Sequence, residues 1–347
     1  MNIQKINVNS ETAYAVDVPV VINFFARPDT LKQVFERVRE AKPSKLFLLA
    51  DGPRKNVPTD AENVKKCRKI VENVDWQCEL YHIYAEENQG LFDTYFKGMK
   101  LVFAVVDRCI FIEDDCLLSI SYFRFCRDLL EKYENDFRIH FISSVNNMGV
   151  YNKPDGDYFF SGEGACPAYA IWKRTFESMN LDFVKNEYVV TAANRCARQL
   201  KNGYQKRINK TVKNPMWEGH VPHVEFYKNL LRFTQNQVYI VPTKNMLCNI
   251  GVSSNSVHTA DNMKKLPKAT QNLLNQESYE YDFPLKHPQY CVRDIAYEDY
   301  VNKVLGWNKP FRKAWRKLSA LLRHIRYGDF KRICYKIKTL FIRDNWI

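Results

Sequence analysis

No stretch of this chain is apolar for long enough to cross a bilayer, and the segment from Met1 to Asn9 lacks the apolar core of an export signal. The ten cysteines are scattered singly. No CxxC pair and no metal-finger spacing occurs among them, so they read as reduced core thiols of a cytoplasmic protein. Internal repeats and low-complexity segments are absent. Acid is nearly missing from the end of the chain: residues 309–347 hold Asp329 and Asp344 against twelve Lys and Arg. That span is net +10 of a total of +13, and residues 1–308 are close to neutral. A nucleic-acid-binding body is therefore not expected, and the tail needs its own explanation.

What is present is a large apolar inventory. Of the 347 residues 46% are hydrophobic and 14% aromatic, enough for one large α/β domain or two smaller ones. The first 150 residues alternate strand and helix. Val16 to Phe25 reads as a strand, followed by a helix capped by Asp29, with Leu31, Val34, Phe35, Val38 and Ala41 at helical spacing. Lys45 to Ala50 is a second strand, ending in the turn signal Asp51-Gly52-Pro53-Arg54. A polar helix opens at Thr59 or Asp60 and runs to about Val74. Cys78 to Tyr84 is a third strand, and Asn88-Gln89-Gly90 turns into a helix from Leu91 to about Val106. The fourth strand is Cys109 to Ile112. A helix from Ser119 or Ser121 and a fifth strand, Arg138 to Ser143, complete the series. Such alternation implies a mostly parallel sheet flanked by helices. After residue 150 the pattern is irregular, with helices expected at 173–179 and 223–233 and a strand at 238–242.

The fourth strand ends in Glu113-Asp114-Asp115. Three carboxylates at the carboxyl end of a buried strand are costly unless something cationic neutralises them. That end is also where open α/β sheets bind ligands. A divalent metal carrying a diphosphate satisfies both conditions, because hard cations are held by one or two carboxylates plus substrate phosphates. A solvated acidic turn is the alternative.

Several blocks, in order, resemble nucleotide-sugar glycosyltransferases of the GT-A fold, in a bacterial branch related to the animal N-acetylglucosaminyltransferase that begins complex N-glycan branching. They are Phe24-Phe25-Ala26-Arg27-Pro28-Asp29, Leu49-Ala50-Asp51-Gly52-Pro53-Arg54, Glu87-Asn88-Gln89-Gly90-Leu91, Ile112-Glu113-Asp114-Asp115-Cys116-Leu117, Asn249-Ile250-Gly251 and Val257-His258-Thr259. The resemblance implies that the acids are a DxD-type motif, with Asp115 on Mn²⁺ or Mg²⁺ and Glu113 and Asp114 on the ribose or on the metal through water. It implies that Asp51 reads the nucleobase, against the alternative of a turn aspartate. Arg27 would lie near the nucleotide, where a guanidinium suits phosphate, or else it is a surface arginine. His258 would reach the metal or diphosphate from a polar loop, or else it is an ordinary histidine. An inverting displacement needs a base for the acceptor hydroxyl. By family position that base is Glu225, where the family has Asp, and Glu218 competes with it. Gly162 and Glu163 stand where the family lines a sugar pocket, although the usual Trp-Gly-Trp sequence is replaced by Ala165-Cys166-Pro167-Ala168-Tyr169.

The activity so implied is sugar transfer from a nucleotide-diphosphate donor, a UDP-sugar by resemblance, to a hydroxyl of a glycan or lipid-linked acceptor in bacterial surface polysaccharide synthesis. A sugar nucleotidyltransferase is a second reading, though the first strand ends without the glycine-rich, lysine-bearing loop such enzymes carry. A non-catalytic, membrane-associated glycan-binding protein is a third. The expected layout is a GT-A domain over residues 1–308, with a nucleotide-binding half at about 16–145 and an acceptor half at about 146–308. Residues 309–347 form a basic amphipathic helical tail. In that tail Phe311, Trp315, Leu318, Leu322 and Ile325 share one helical face and Lys and Arg fill the others, which suits an anionic membrane at the cytoplasmic face. Packing of the stripe on the catalytic domain is the alternative. Nucleic acid would give the stripe no role.

Overall fold

In the computed structural model the described residues are 1–165, 167–179, 231–232, 234–251, 276–305 and 310–328, with positions 188, 191, 192, 195, 227, 330, 333 and 334. Eleven strands are described. They are β1 (Gln4–Val8), β2 (Val16–Phe24), β3 (Pro43–Ala50), β4 (Cys78–Tyr84), β5 (Arg108–Glu113), β6 (Cys116–Leu118), β7 (Ile139–Ser143), β8 (Tyr158–Ser161), β9 (Ala168–Trp172), β10 (Val238–Pro242) and β11 (Leu247–Asn249). The helices are α1 (Pro28–Ala41), α2 (Pro58–Val71), α3 (Leu91–Val102), α4 (Ser121–Lys132), α5 (Lys173–Glu177), α6 (Ile295–Leu305) and α7 (Pro310–Arg326).

Nine strands form one mixed sheet in the order β1-β4-β3-β2-β5-β9-β7-β10-β8, and β11 pairs with β6 in a separate ribbon. Parallel pairing joins β4, β3, β2 and β5, and again β7 and β10. β1, β9 and β8 run the other way. The alternating α/β reading therefore holds from β2 to β7, and the two predicted halves share one continuous sheet. The antiparallel β9, between β5 and β7, was not expected, because a short apolar run such as Ala168–Trp172 carries no sign of its direction.

Strand alternation sends side chains to two apolar layers. Val20 and Ile22 of β2, Leu46 and Leu48 of β3 and Ile110 and Ile112 of β5 face one layer, with Leu31, Val34, Phe35 and Val38 of α1 and Phe125 and Leu129 of α4. Val21, Phe47, Leu49 and Phe111 face the other, with Tyr95 and Met99 of α3 and Tyr297 and Val301 of α6. The expected apolar stripe of α1 is thus the buried one. Its start differs from expectation: the helix opens on Pro28, whose fixed φ and missing N–H suit a first turn, and Asp29 lies inside that turn rather than capping it.

Helix α6 falls in a region of weak pattern, and buried charge ties it to the sheet. Arg232, 3% exposed, donates to Glu163 Oε1 at 2.6 Å and to Glu298 Oε2 at 3.0 Å. Glu298 also accepts from Arg293 Nε at 2.9 Å and from the backbone N–H of Gly162 at 2.7 Å. Glu298 therefore joins α6, the residue 162 loop and the segment carrying Arg232. Removing one member of a buried ion network strands the others without compensation. Glu298→Ala is expected to cost about 3–5 kcal/mol, read as a lower midpoint in urea unfolding. An unchanged midpoint would remove this cluster from the list of what holds α6.

Candidate active site

After β2 the chain moves outward to β3 and β4, then returns to the opposite side of β2 as β5. α1 packs in one apolar layer and α3 in the other, so the two crossovers diverge above the β2–β5 junction. A crevice at such a reversal, outside the carboxyl ends of the strands, is the default ligand position of an open α/β sheet. β2 and β5 are parallel and in register, Asn23 opposite Glu113. The residues just past each end, Phe25 to Arg27 and Asp114 to Asp115, therefore meet.

They meet as an ion cluster. Asp114 is 3% exposed and Asp115 is 9%. Arg27 Nη1 donates to Asp115 Oδ2 at 2.9 Å, and Nη2 donates to Asp114 Oδ1. The backbone N–H of Phe25 donates to Asp114 Oδ2 at 3.2 Å. One guanidinium thus bridges two carboxylates, a geometry its forked donors allow and a lysine would not. Burial opposes the charge on Arg27, but the two carboxylates outweigh it and hold its pKa above the ordinary arginine range. Burial pushes the Asp114 carboxyl up and Asp115 adds to this; Arg27 offsets only part. The arginine expected to lie near a nucleotide is the counter-ion of the acids.

A second segment closes the cluster from the other side. β11 pairs with β6 so that Asn249 lies opposite Cys116. Asn249 Nδ2 donates to Asp115 Oδ1 at 3.3 Å, and the Ile250 N–H donates to the Asp115 carbonyl at 2.9 Å. A Cβ on Gly251 would lie 2.1 Å from Asp115 Oδ2. The Asn249-Ile250-Gly251 block therefore carries a role that the sequence did not assign: it seats Asp115.

Glu113, Asp115 and Cys116 offer ligand atoms within 4.8 Å of one another. Burial and the neighbouring acids raise the Cys116 thiol well above its ordinary value, and Sγ donates to Asp115 Oδ1 at 3.4 Å and to the Pro167 carbonyl at 3.3 Å. Two of the three donors are carboxylate oxygens, which suit a hard divalent cation such as Mg²⁺ or Mn²⁺.

Asp51 ends β3, as expected, yet both its oxygens are engaged. Oδ1 accepts from the N–H groups of Gly52 and Gln89, each at 2.8 Å. Oδ2 accepts from Asn88 Nδ2 at 2.9 Å and the Gly90 N–H at 3.0 Å. These four donors match the roughly four lone-pair positions of a carboxylate, and through them Asp51 fixes the loop from Asn88 to Gly90 at the same sheet edge. Gly90 adopts φ 85°, a conformation that favours glycine and opens α3.

Gly162 and Glu163, expected beside a sugar, lie next to buried arginines. Glu163 is 3% exposed and its carboxylate accepts from Arg232. Gly162 lies under two arginines, where a Cβ would come 2.6 Å from Arg232 Nε. The signal was hidden because Arg232 and Glu298 are 69 and 135 residues away from Glu163. Glu218, Glu225 and His258 lie outside the described residues.

Gly251→Ala is expected to unseat Asp115. Overpacking of this kind costs roughly 1–3 kcal/mol in chemical unfolding and should weaken divalent-ion binding together with stability. Stability and ion binding both equal to those of the parent would show that the close approach is unimportant.

No protein-family model matches the sequence, and no curated protein matches it. Many solved structures are similar in part. The crystal structure of apo UDP-glucose pyrophosphorylase aligns at 11% identity and TM-score 0.34, covering 67% of this chain and 93% of that one. The apo form of mouse xyloside xylosyltransferase 1 aligns at 10% identity and TM-score 0.34, covering 64% of this chain and 84% of that one. Likenesses this remote bear on neither substrate nor reaction.

Proposed function

We propose that this protein is a metal-dependent glycosyltransferase that moves a sugar from a nucleotide-diphosphate donor to a hydroxyl acceptor. The observation that carries the reading is the Arg27–Asp114–Asp115 cluster at the β2–β5 junction. Three acids in sequence are kept where they cost stability, at the position where α/β sheets take ligands, with a built-in cation balancing them. Glu113 and Asp115 are the residues that would hold the cation. When bound, the cation would stabilise the negative charge that develops on a departing nucleoside diphosphate. Arg27 cannot serve the acids and an incoming diphosphate at full strength together. Donor binding would transfer part of its fork from carboxylate to phosphate, a partner its geometry suits equally.

The expected base, Glu225 or its competitor Glu218, would accept the proton of the attacking hydroxyl. His258 would close on the diphosphate from its polar loop. A UDP-sugar donor, a glycan or lipid-linked acceptor and inversion at the anomeric centre follow from the family resemblance of the sequence blocks. A sugar nucleotidyltransferase is the second reading. It is disfavoured because β2 runs through Phe24-Phe25-Ala26-Arg27-Pro28 directly into α1, without a glycine-rich loop.

Two outcomes are expected. In a screen of nucleotide sugars for metal-dependent transfer or hydrolysis, Asp115→Asn should lower the rate by about a hundred-fold or more, and full retention of activity would contradict the metal assignment. Arg27→Gln leaves two buried carboxylates without their counter-ion, so its melting temperature should fall. Added Mn²⁺ should raise that variant's melting temperature more than the parent's, because a ligand that binds only the native state stabilises it. Equal shifts in both proteins would show that cation and guanidinium do not compete for the same acids.

A further inference from the structure

Helix α7 is oriented the wrong way round for a helix packed on a core. Phe311, Trp315, Leu318, Leu322 and Ile325 recur every three or four residues and so share one face. They are 89%, 66%, 48%, 53% and 49% exposed. His324, on the opposite side of the helix, is 5% exposed. The apolar stripe is therefore not the side by which α7 is covered. Pro310 opens the helix, and the Gly328 N–H closes it on the Ile325 carbonyl at 3.1 Å. Beyond the turn, Phe330 is again 62% exposed.

The charge around the stripe selects its occupant. Arg312, Lys313, Arg316, Lys317, Arg323 and Arg326 belong to the same helix, which holds no acid. A second copy of this helix would bring like charge against like charge. Nucleic acid would match the charge but not the aromatic stripe. An anionic bilayer matches both, with apolar side chains entering the acyl boundary and cations remaining at the headgroups. Among the described residues no helix is long and apolar enough to cross a membrane, so attachment by this helix would be in the plane of the surface.

We infer that α7 is a membrane-surface anchor whose exposed stripe inserts into anionic lipid. The inference does not depend on the reaction proposed above. Its test is co-sedimentation of the full chain with vesicles of phosphatidylcholine alone or mixed with phosphatidylglycerol. The comparison is a Phe311→Ser, Trp315→Ser, Leu318→Ser triple variant, with circular dichroism confirming that both proteins are folded. Because the three side chains are exposed, the variant should fold like the parent. The parent should bind the anionic vesicles at least about ten-fold more tightly than the neutral ones, and the variant should lose about ten-fold or more of that affinity. Equal binding of parent and variant would overturn the inference, as would parent binding that ignores lipid charge. A parent that sediments as a dimer without binding vesicles, and a variant that sediments as a monomer, would assign the stripe to a second copy and overturn it as well.

Discussion

The site depends on a single guanidinium shared by two carboxylates. Asp114 and Asp115 follow a strand buried on both faces, so their charge cannot be left to water. Arg27, at the end of the adjacent parallel strand, supplies the neutralisation. Buried ion pairs rarely add stability over apolar packing. Keeping one at the crevice of the sheet is better understood as keeping a charge that can be reassigned. A cation and a diphosphate together would offer the acids and the arginine partners of the same kind as these offer each other.

Two other carboxylates serve the architecture around that point. Asp51 gathers four donors and sets the loop from Asn88 to Gly90 at the neighbouring strand end. Glu298 gathers Arg232, Arg293 and the Gly162 N–H and holds α6 to the sheet. Both are acids at strand or helix ends, as the site acids are. Asp115 also accepts from protein donors, but it and Glu113 differ in offering ligand atoms within 4.8 Å of one another.

Apart from β6, the succession from β2 to β7 is legible because each strand is a compact apolar run and each helix repeats its apolar residues at helical spacing. Cys78–Tyr84 was read to the residue. The acid triplet was legible for the same reason: it stops an apolar run abruptly. β1 is not legible because four of its five residues are exposed at a sheet edge, and β6 and β11 because three residues carry no period. Pairing over long sequence distance was invisible throughout. Arg27 was singled out, but its bond to acids 87 and 88 residues away was not foreseen. The motif positions of Asp51 and Glu163 do not show where their hydrogen bonds go.

We propose that the acids at the end of β5 hold a divalent cation whose remaining ligands include diphosphate oxygens. Anomalous diffraction at the manganese edge, from crystals soaked with Mn²⁺ and UDP, tests it most directly. One strong peak is expected against Asp115, with diphosphate density beside it and an Arg27 side chain moved off at least one carboxylate. A crystal with the nucleotide bound, no manganese at these acids and Arg27 still bridging Asp114 and Asp115 would contradict it.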